Sequence, residues 1–207
     1  MQYYLSYSLP VIAQALTLWG LLLCAFLPAI YYLKRSQGLP IRLKLMAIAA
    51  LLLFYLAGLI AYTFLPLPDR QTFTCPEGWG SNYPRFYLGW SIHRALLEEG
   101  GFLGVLTSTY ILQMLLNVLL FVPYGFLARW ILRLGFKPLL FAAFLTSLLI
   151  ELTQISGLWG YYPCAIRTFD AEDIFNNTLG ALLGWALLAS WQKRAELKGW
   201  LGRLLGP

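Results

Sequence analysis

Charge is what this sequence has least of: 12% of its 207 residues are Asp, Glu, Lys or Arg, against 59% that are hydrophobic. A soluble domain carries roughly a quarter of its residues as charges, so a water-exposed globular fold is excluded. Histidine is nearly absent too, and the single His93 cannot by itself define a zinc site. Cys24, Cys75 and Cys164 form no Cys-x-x-Cys pair and no Cys/His spacing, so the usual metal and redox frameworks find no support. No internal repeat is evident, which weakens a transporter built from inverted halves. Positive charge is also missing ahead of the first apolar run, and Lys34 and Arg35 come after it. That order marks a retained helix rather than a cleaved signal sequence.

What is present is a series of apolar runs, each about the 20 residues that a helix needs to cross the hydrocarbon core. They fall at 9–33, 45–65, 105–127, 138–158 and 174–191. The expectation is an all-α polytopic membrane protein with five transmembrane helices, a single membrane domain over 1–207, and a basic, amphipathic cytoplasmic tail at 192–207. Lys34, Arg35, Arg42, Lys44, Arg129, Arg133, Lys137, Lys193, Arg194, Lys198 and Arg203 lie on one side of these spans; only Arg70, Arg85, Arg94 and Arg167 lie on the other. The positive-inside rule then places the N-terminus out and the C-terminus in. The net charge of +6 is explained by this topogenic bias and by the tail, where Trp191, Leu197, Trp200, Leu201, Leu204 and Leu205 interleave with cations facing an anionic inner leaflet. No nucleic acid partner is implied.

The longest outer loop, about 66–104, opens with Pro66, Pro68, Cys75, Pro76, Gly78 and Gly80, the composition of irregular chain. Its second half mixes Phe86, Leu88, Trp90, Ile92, Leu96 and Leu97 with Arg85, Arg94, Glu98 and Glu99, which predicts a short interfacial helix ended by Gly100 and Gly101. Tyr83, Phe86, Tyr87 and Trp90 suit the headgroup level. That segment serves either as an aromatic belt or as a lid. Cys75 and Cys164 both fall in outer loops, where an oxidising compartment can join them; whether they are joined turns on the distance between them.

Ionisable groups at membrane depth are costly, which makes them the first place to look for function. Glu151 and Gln154 are three apart, on one face of the fourth span, with Glu151 about 6 to 9 residues inside its outer end, roughly 9–14 Å at helical rise. Asp173, Asn177, Gly180 and Gly184 recur as one stripe of the fifth span. The short connection between the two spans makes them antiparallel neighbours, so Glu151, Gln154, Asp173 and Asn177 can share one cavity. Asp170 with Asp173 also reads as a helix N-cap with an acid in the first turn. Gly180 and Gly184 read as a small-xxx-small helix contact. Arg167 is the nearest candidate cation for Glu151, either as a latch or as an anion contact. In the third span Asn117 must find a partner across helices, and Pro123 with Gly125 predicts a kink.

The run Asn117-x-x-x-Phe121-x-Pro123-x-Gly125, then Glu151-x-x-Gln154, then Arg167-x-x-Asp170-x-x-Asp173-x-x-x-Asn177-Thr178-x-Gly180-x-x-x-Gly184 resembles the VanZ-like family of bacterial membrane proteins. The resemblance covers about 117–185, within a core of about 105–191; the first two spans fit by hydropathy alone. It implies a multi-pass protein of the bacterial cell membrane, with a polar signature on Asn117, Glu151, Gln154, Arg167, Asp170, Asp173 and Asn177. It further implies an envelope role on the outer face, of the kind associated with low-level resistance to the glycopeptide teicoplanin. It names no reaction and no cofactor.

Two functional classes follow. In the first, the cluster is a non-catalytic site for a membrane lipid, a lipid-linked glycan or a lipoglycopeptide, with Arg167 as anion contact and Gln154 and Asn177 as directional hydrogen-bonding groups. In the second, an intramembrane enzyme divides acid and base roles between Glu151 and Asp173. Paired acids with Asn177 also suit a hard divalent cation, although no metal motif is present. Against the enzyme stands the lack of an activated nucleophile: Ser156 and Thr153 lie near Glu151, and nothing in the pattern marks either.

Overall fold

The computed structural model describes residues 2–38, 40, 43–75, 84–98 and 101–205. Expectations placed on Arg42, Pro76, Gly78, Gly80, Tyr83, Glu99 and Gly100 lie outside the described residues, as do those on the side chains of residues 195–207. The described chain is helical, with no strand and one isolated parallel bridge between Arg85 and Asp170. It forms two compact units, Met1–Phe73 and Thr74–Pro207.

The first unit is a helical hairpin of α1 (Gln2–Ser36) and α2 (Leu43–Phe64). Both helices are apolar around most of their circumference, so a few directional contacts fix their pairing. Trp19 stacks edge-on against Phe54 at 5.2 Å and its indole N–H donates to the Ala50 carbonyl at 3.1 Å.

The second unit contains α3 (Trp90–Glu98), α4 (Gly101–Thr107), α5 (Thr109–Leu132), α6 (Phe136–Ile155), a single turn α7 (Gly157–Gly160) and α8 (Ala171–Leu205). The short helix anticipated in the outer loop is α3. The expected third span begins later than 105, because Ser108 caps α5 by accepting from the Ile111 N–H and separates it from α4. The helix is continuous through Pro123. Gly125 serves packing: a Cβ there would strike the backbone of Ala181. Likewise a Cβ on Gly180 or Gly184 would strike the carbonyl of Val118 or Val122. The small-residue stripe thus brings α5 and α8 to backbone contact, and α8 also packs on α6.

After α6 the backbone turns left-handed, with positive φ at Gly157, Leu158, Trp159 and Gly160. Gly157 is required, since a Cβ would meet the carbonyls of Tyr162 and Cys164. This early turn corrects the expected outer end: α6 stops at Ile155, so Glu151 lies four residues from it, roughly 6 Å along the axis. Among the described residues, four helices are long and apolar enough to cross a membrane: Val11–Ser36, Met46–Phe64, Thr109–Leu132 and Phe136–Ile155. The anticipated fifth run lies inside α8, which carries Asn176 and Asn177 in its first third and extends without a break into the predicted tail.

Candidate functional site

The site is built where α8 begins. Asp170 caps the helix, its Oδ1 accepting from the Glu172 N–H at 3.0 Å, as the cap reading anticipates. The N–H of Asp170 itself donates to Glu151 Oε2 at 2.8 Å. A carboxylate on α6, 2% exposed, therefore holds the backbone at the start of α8. One turn into α8, Asp173 Oδ1 accepts from Asn117 Nδ2 of α5 at 2.5 Å. One turn further, Asn177 Nδ2 donates to Ser147 Oγ of α6 at 2.8 Å. Asn117, Glu151, Asp170, Asp173 and Asn177 thus lie along the seams that α8 makes with α5 and α6.

Arg85, a residue outside the sequence motif, makes an ion pair with this cluster. Its Nη2 lies 3.1 Å from Asp170 Oδ2, and its guanidinium stacks over Trp90 at 4.1 Å. Backbone bonds tie the same residue down: the Arg85 N–H donates to the Phe169 carbonyl, and the Ala171 N–H to the Arg85 carbonyl, both at 2.8 Å. Glu172, 4% exposed, reaches the other way. Its carboxylate accepts from the N–H groups of Gly89 and Ser91 at 3.1 and 3.0 Å and from the Ser91 hydroxyl at 2.6 Å, capping α3 with a negative charge. Cys75 and Cys164 are joined, with a Cα separation of 5.9 Å. The arm carrying Arg85 and α3 is fastened to the start of α8 by an ion pair and a helix cap, and Cys75 ahead of it is bonded to Cys164 in the connection before α8.

Arg167 is half-buried in the connection before α8, and its charge acts on Glu151 together with those of Asp173 and Asp170. A main-chain amide also donates to Glu151, because the Asp170 N–H lies at the helix start without an intrahelical acceptor. Gln154 is buried, and its main-chain carbonyl accepts from the Ile166 N–H at 3.1 Å, closing the connection onto α6. Burial pushes the Asp170 carboxyl above its ordinary range, and the Arg85 guanidinium opposes that shift.

Arg85, Glu172 and Ser147 are the participants that sequence reasoning missed. Each leaves a faint signal: Arg85 falls in the set of loops that the sequence reading expects to hold few cations, Glu172 completes three acids within four residues, and Ser147 precedes Glu151 by one helical turn. Neither hydroxyl near Glu151 is poised as a nucleophile. Ser156 Oγ donates to the Thr153 carbonyl at 3.1 Å, and Thr153 Oγ1 donates to the Leu149 carbonyl at 2.7 Å. Among the described residues no three His, Cys, Asp or Glu side chains are placed to share a metal ion. The arrangement offers hydrogen-bond acceptors of high charge density beside an arginine, between helices with apolar outer faces.

A family model described as VanZ/LLP1 matches residues 52–192, from within α2 to the middle of α8. The match is wider than the polar motif, taking in the arm with Cys75 and His93. No curated protein and no solved structure matches the chain.

Proposed function

The chain belongs to the VanZ/LLP1 family, and on that premise we propose that it is a five-span protein of the bacterial cell membrane whose polar cluster binds an amphiphile at the outer leaflet. The fifth span is the first part of α8; its N-terminal acids and the fastened arm lie outside, and the cations of residues 193–203 inside. The observation that carries the reading is the meeting of Glu151 and Asp173 from two helices with Asn117 from a third, at one end of a helix packing otherwise made of small and apolar residues. Buried carboxylates that accept from amides, Glu151 from the Asp170 N–H and Asp173 from Asn117, suit a site that recognises hydroxyl or amine groups. The ligand class is a membrane lipid, a lipid-linked glycan or a lipoglycopeptide, and teicoplanin resistance is one phenotype through which such binding is visible.

The enzyme reading is favoured by one feature, two buried carboxylates on neighbouring helices, Glu151 bonded to the start of α8 and Asp173 in its first turn, an arrangement in which acid and base roles can be divided. Both readings meet in one experiment. Glu151→Gln, Arg167→Ala and Asp173→Asn are expressed in a cell that depends on the protein, and glycopeptide susceptibility and envelope lipid composition are measured. A binding site loses affinity in graded fashion across the three; an enzyme loses nearly all activity in Glu151→Gln and Asp173→Asn. Unchanged susceptibility and lipid composition in all three variants sinks both readings.

A further inference from the structure

We infer that the site has a second, uncharged tier at Ser147 and Asn177, and that this tier takes a hydroxyl of a sugar-bearing amphiphile. The inference rests on the binding reading above and names the chemistry of its ligand. Ser147 precedes Glu151 by four residues on α6, and Asn177 follows Asp173 by four on α8. The pair therefore lies one turn beneath the carboxylates, on the same facing surfaces. Ser147 is fully buried and Asn177 is 4% exposed.

Their mutual hydrogen bond uses half of the Asn177 amide. Nδ2 donates to Ser147 Oγ at 2.8 Å, while Oδ1 is buried with no partner among the described residues. Exchanging the two ends of the amide leaves the deficit in place: Oδ1 then accepts the Ser147 hydroxyl, and Nδ2 is the group without a partner. Holding α6 to α8 needs only the bond already made. A spare polar group between membrane helices is costly, which is why such groups are met by one another or by a ligand.

The chemistry of the complement follows. A phosphodiester has no proton to donate to Oδ1 beside Ser147, and any further anion there would lie under two carboxylates. An ammonium gains more at Glu151 and Asp173, where the charge is. A hydroxyl donates to Oδ1 and accepts from Ser147, and its neighbours on the same ring donate to the carboxylates above. Several hydroxyls at fixed spacing on one rigid frame describe a glycosyl headgroup.

The test uses the full chain in phosphatidylcholine nanodiscs, with diglucosyl-diacylglycerol as probe and diacylglycerol and phosphatidic acid of the same acyl chains as controls, read by native mass spectrometry. The glucosyl lipid is expected to bind in preference to both controls. Asn177→Leu and Ser147→Ala should each reduce that preference about fivefold, the scale of one uncharged hydrogen bond. Ser147→Ala serves if Asn177→Leu does not fold. Displacement by free gentiobiose would show recognition of the sugar itself, and retention in its presence recognition of sugar and acyl chains together; both support the tier. If Glu151→Gln abolishes lipid binding while the two deeper variants keep the wild-type preference, the amide is met by water alone: the tier is overturned and the site reading stands. If no probe binds and Glu151→Gln changes nothing, both fall.

Discussion

At its acidic end α8 meets its neighbours through Asp170, Glu172, Asp173 and Asn177. At Trp185 and Gln192 it meets them through an indole and an amide. There Trp185 donates to the Leu134 carbonyl at 2.9 Å and packs edge-on against Phe136, while Arg129 stacks over the same indole at 4.5 Å and donates to Gln192 Oε1 at 3.0 Å. Arg129 thus has both a ring and an acceptor, and neither Trp185 nor Gln192 has a buried polar atom without a partner. The acidic end contains charge on three elements and leaves Asn176 Nδ2 and Asn177 Oδ1 unmatched among the described residues. One helix therefore carries a closed joint and an open one. Helix association alone is satisfied by the closed kind, which uses weak, local contacts. The open kind costs stability, and it is the kind on which the proposed binding role rests.

Three substitutions probe that contrast, taken from the largest effect downward. Gly180→Leu drives a side chain into the Val118 carbonyl between the two joints. It is expected to separate α5 from α8, at about 3 kcal/mol or more, and to lower thermal stability measured by circular dichroism in detergent while abolishing ligand binding. A variant that stays as stable as wild type breaks the account of α8 as the shared wall of both joints.

Arg85→Met removes the cation from the open joint, and its stability cost should stay within about 1 kcal/mol because the pair is partly exposed. Its sharper signature is in protons. Asp170 in the folded chain already holds its proton more tightly than in the unfolded chain, so ionising it weakens the fold as pH rises from the unfolded value towards the folded one. Without the opposing guanidinium that window extends upward, and the infrared carboxyl band should persist to higher pH. A band that titrates at lower pH would contradict the ion pair. Trp185→Phe keeps the ring beneath Arg129 and deletes one hydrogen bond, for about 1 kcal/mol. Ligand binding at the far end should be untouched, and a loss there would show the two joints to be coupled.

Much of this architecture can be read from residue order. Apolar run length locates the helices to within a few positions, because the hydrocarbon core sets their length. Gly180 and Gly184 announce the close contact because nothing larger fits. The polar residues of the site are also legible, since each interrupts apolar sequence. Partners are not. Arg85, from an arm far upstream, makes an ion pair with Asp170 of the cluster. Its pairing depends on a backbone bridge to Phe169 and Ala171 that no local pattern encodes. Glu172 is misleading for a similar reason: it looks like one more first-turn acid, and its carboxylate belongs to the start of a different helix.

The link between Cys75 and Cys164 spans 89 residues. As the chain emerges from the ribosome, the first of these sulfurs is made long before the second, with α3 to α6 synthesised between them. The ring is therefore closed only after α6 has been laid down, so the fastening of Cys75 to the connection before α8 is a late event of biogenesis. A protein trapped with α6 unfinished would expose a free Cys75 thiol, and alkylation of that thiol during pulse labelling would time the closure of the ring.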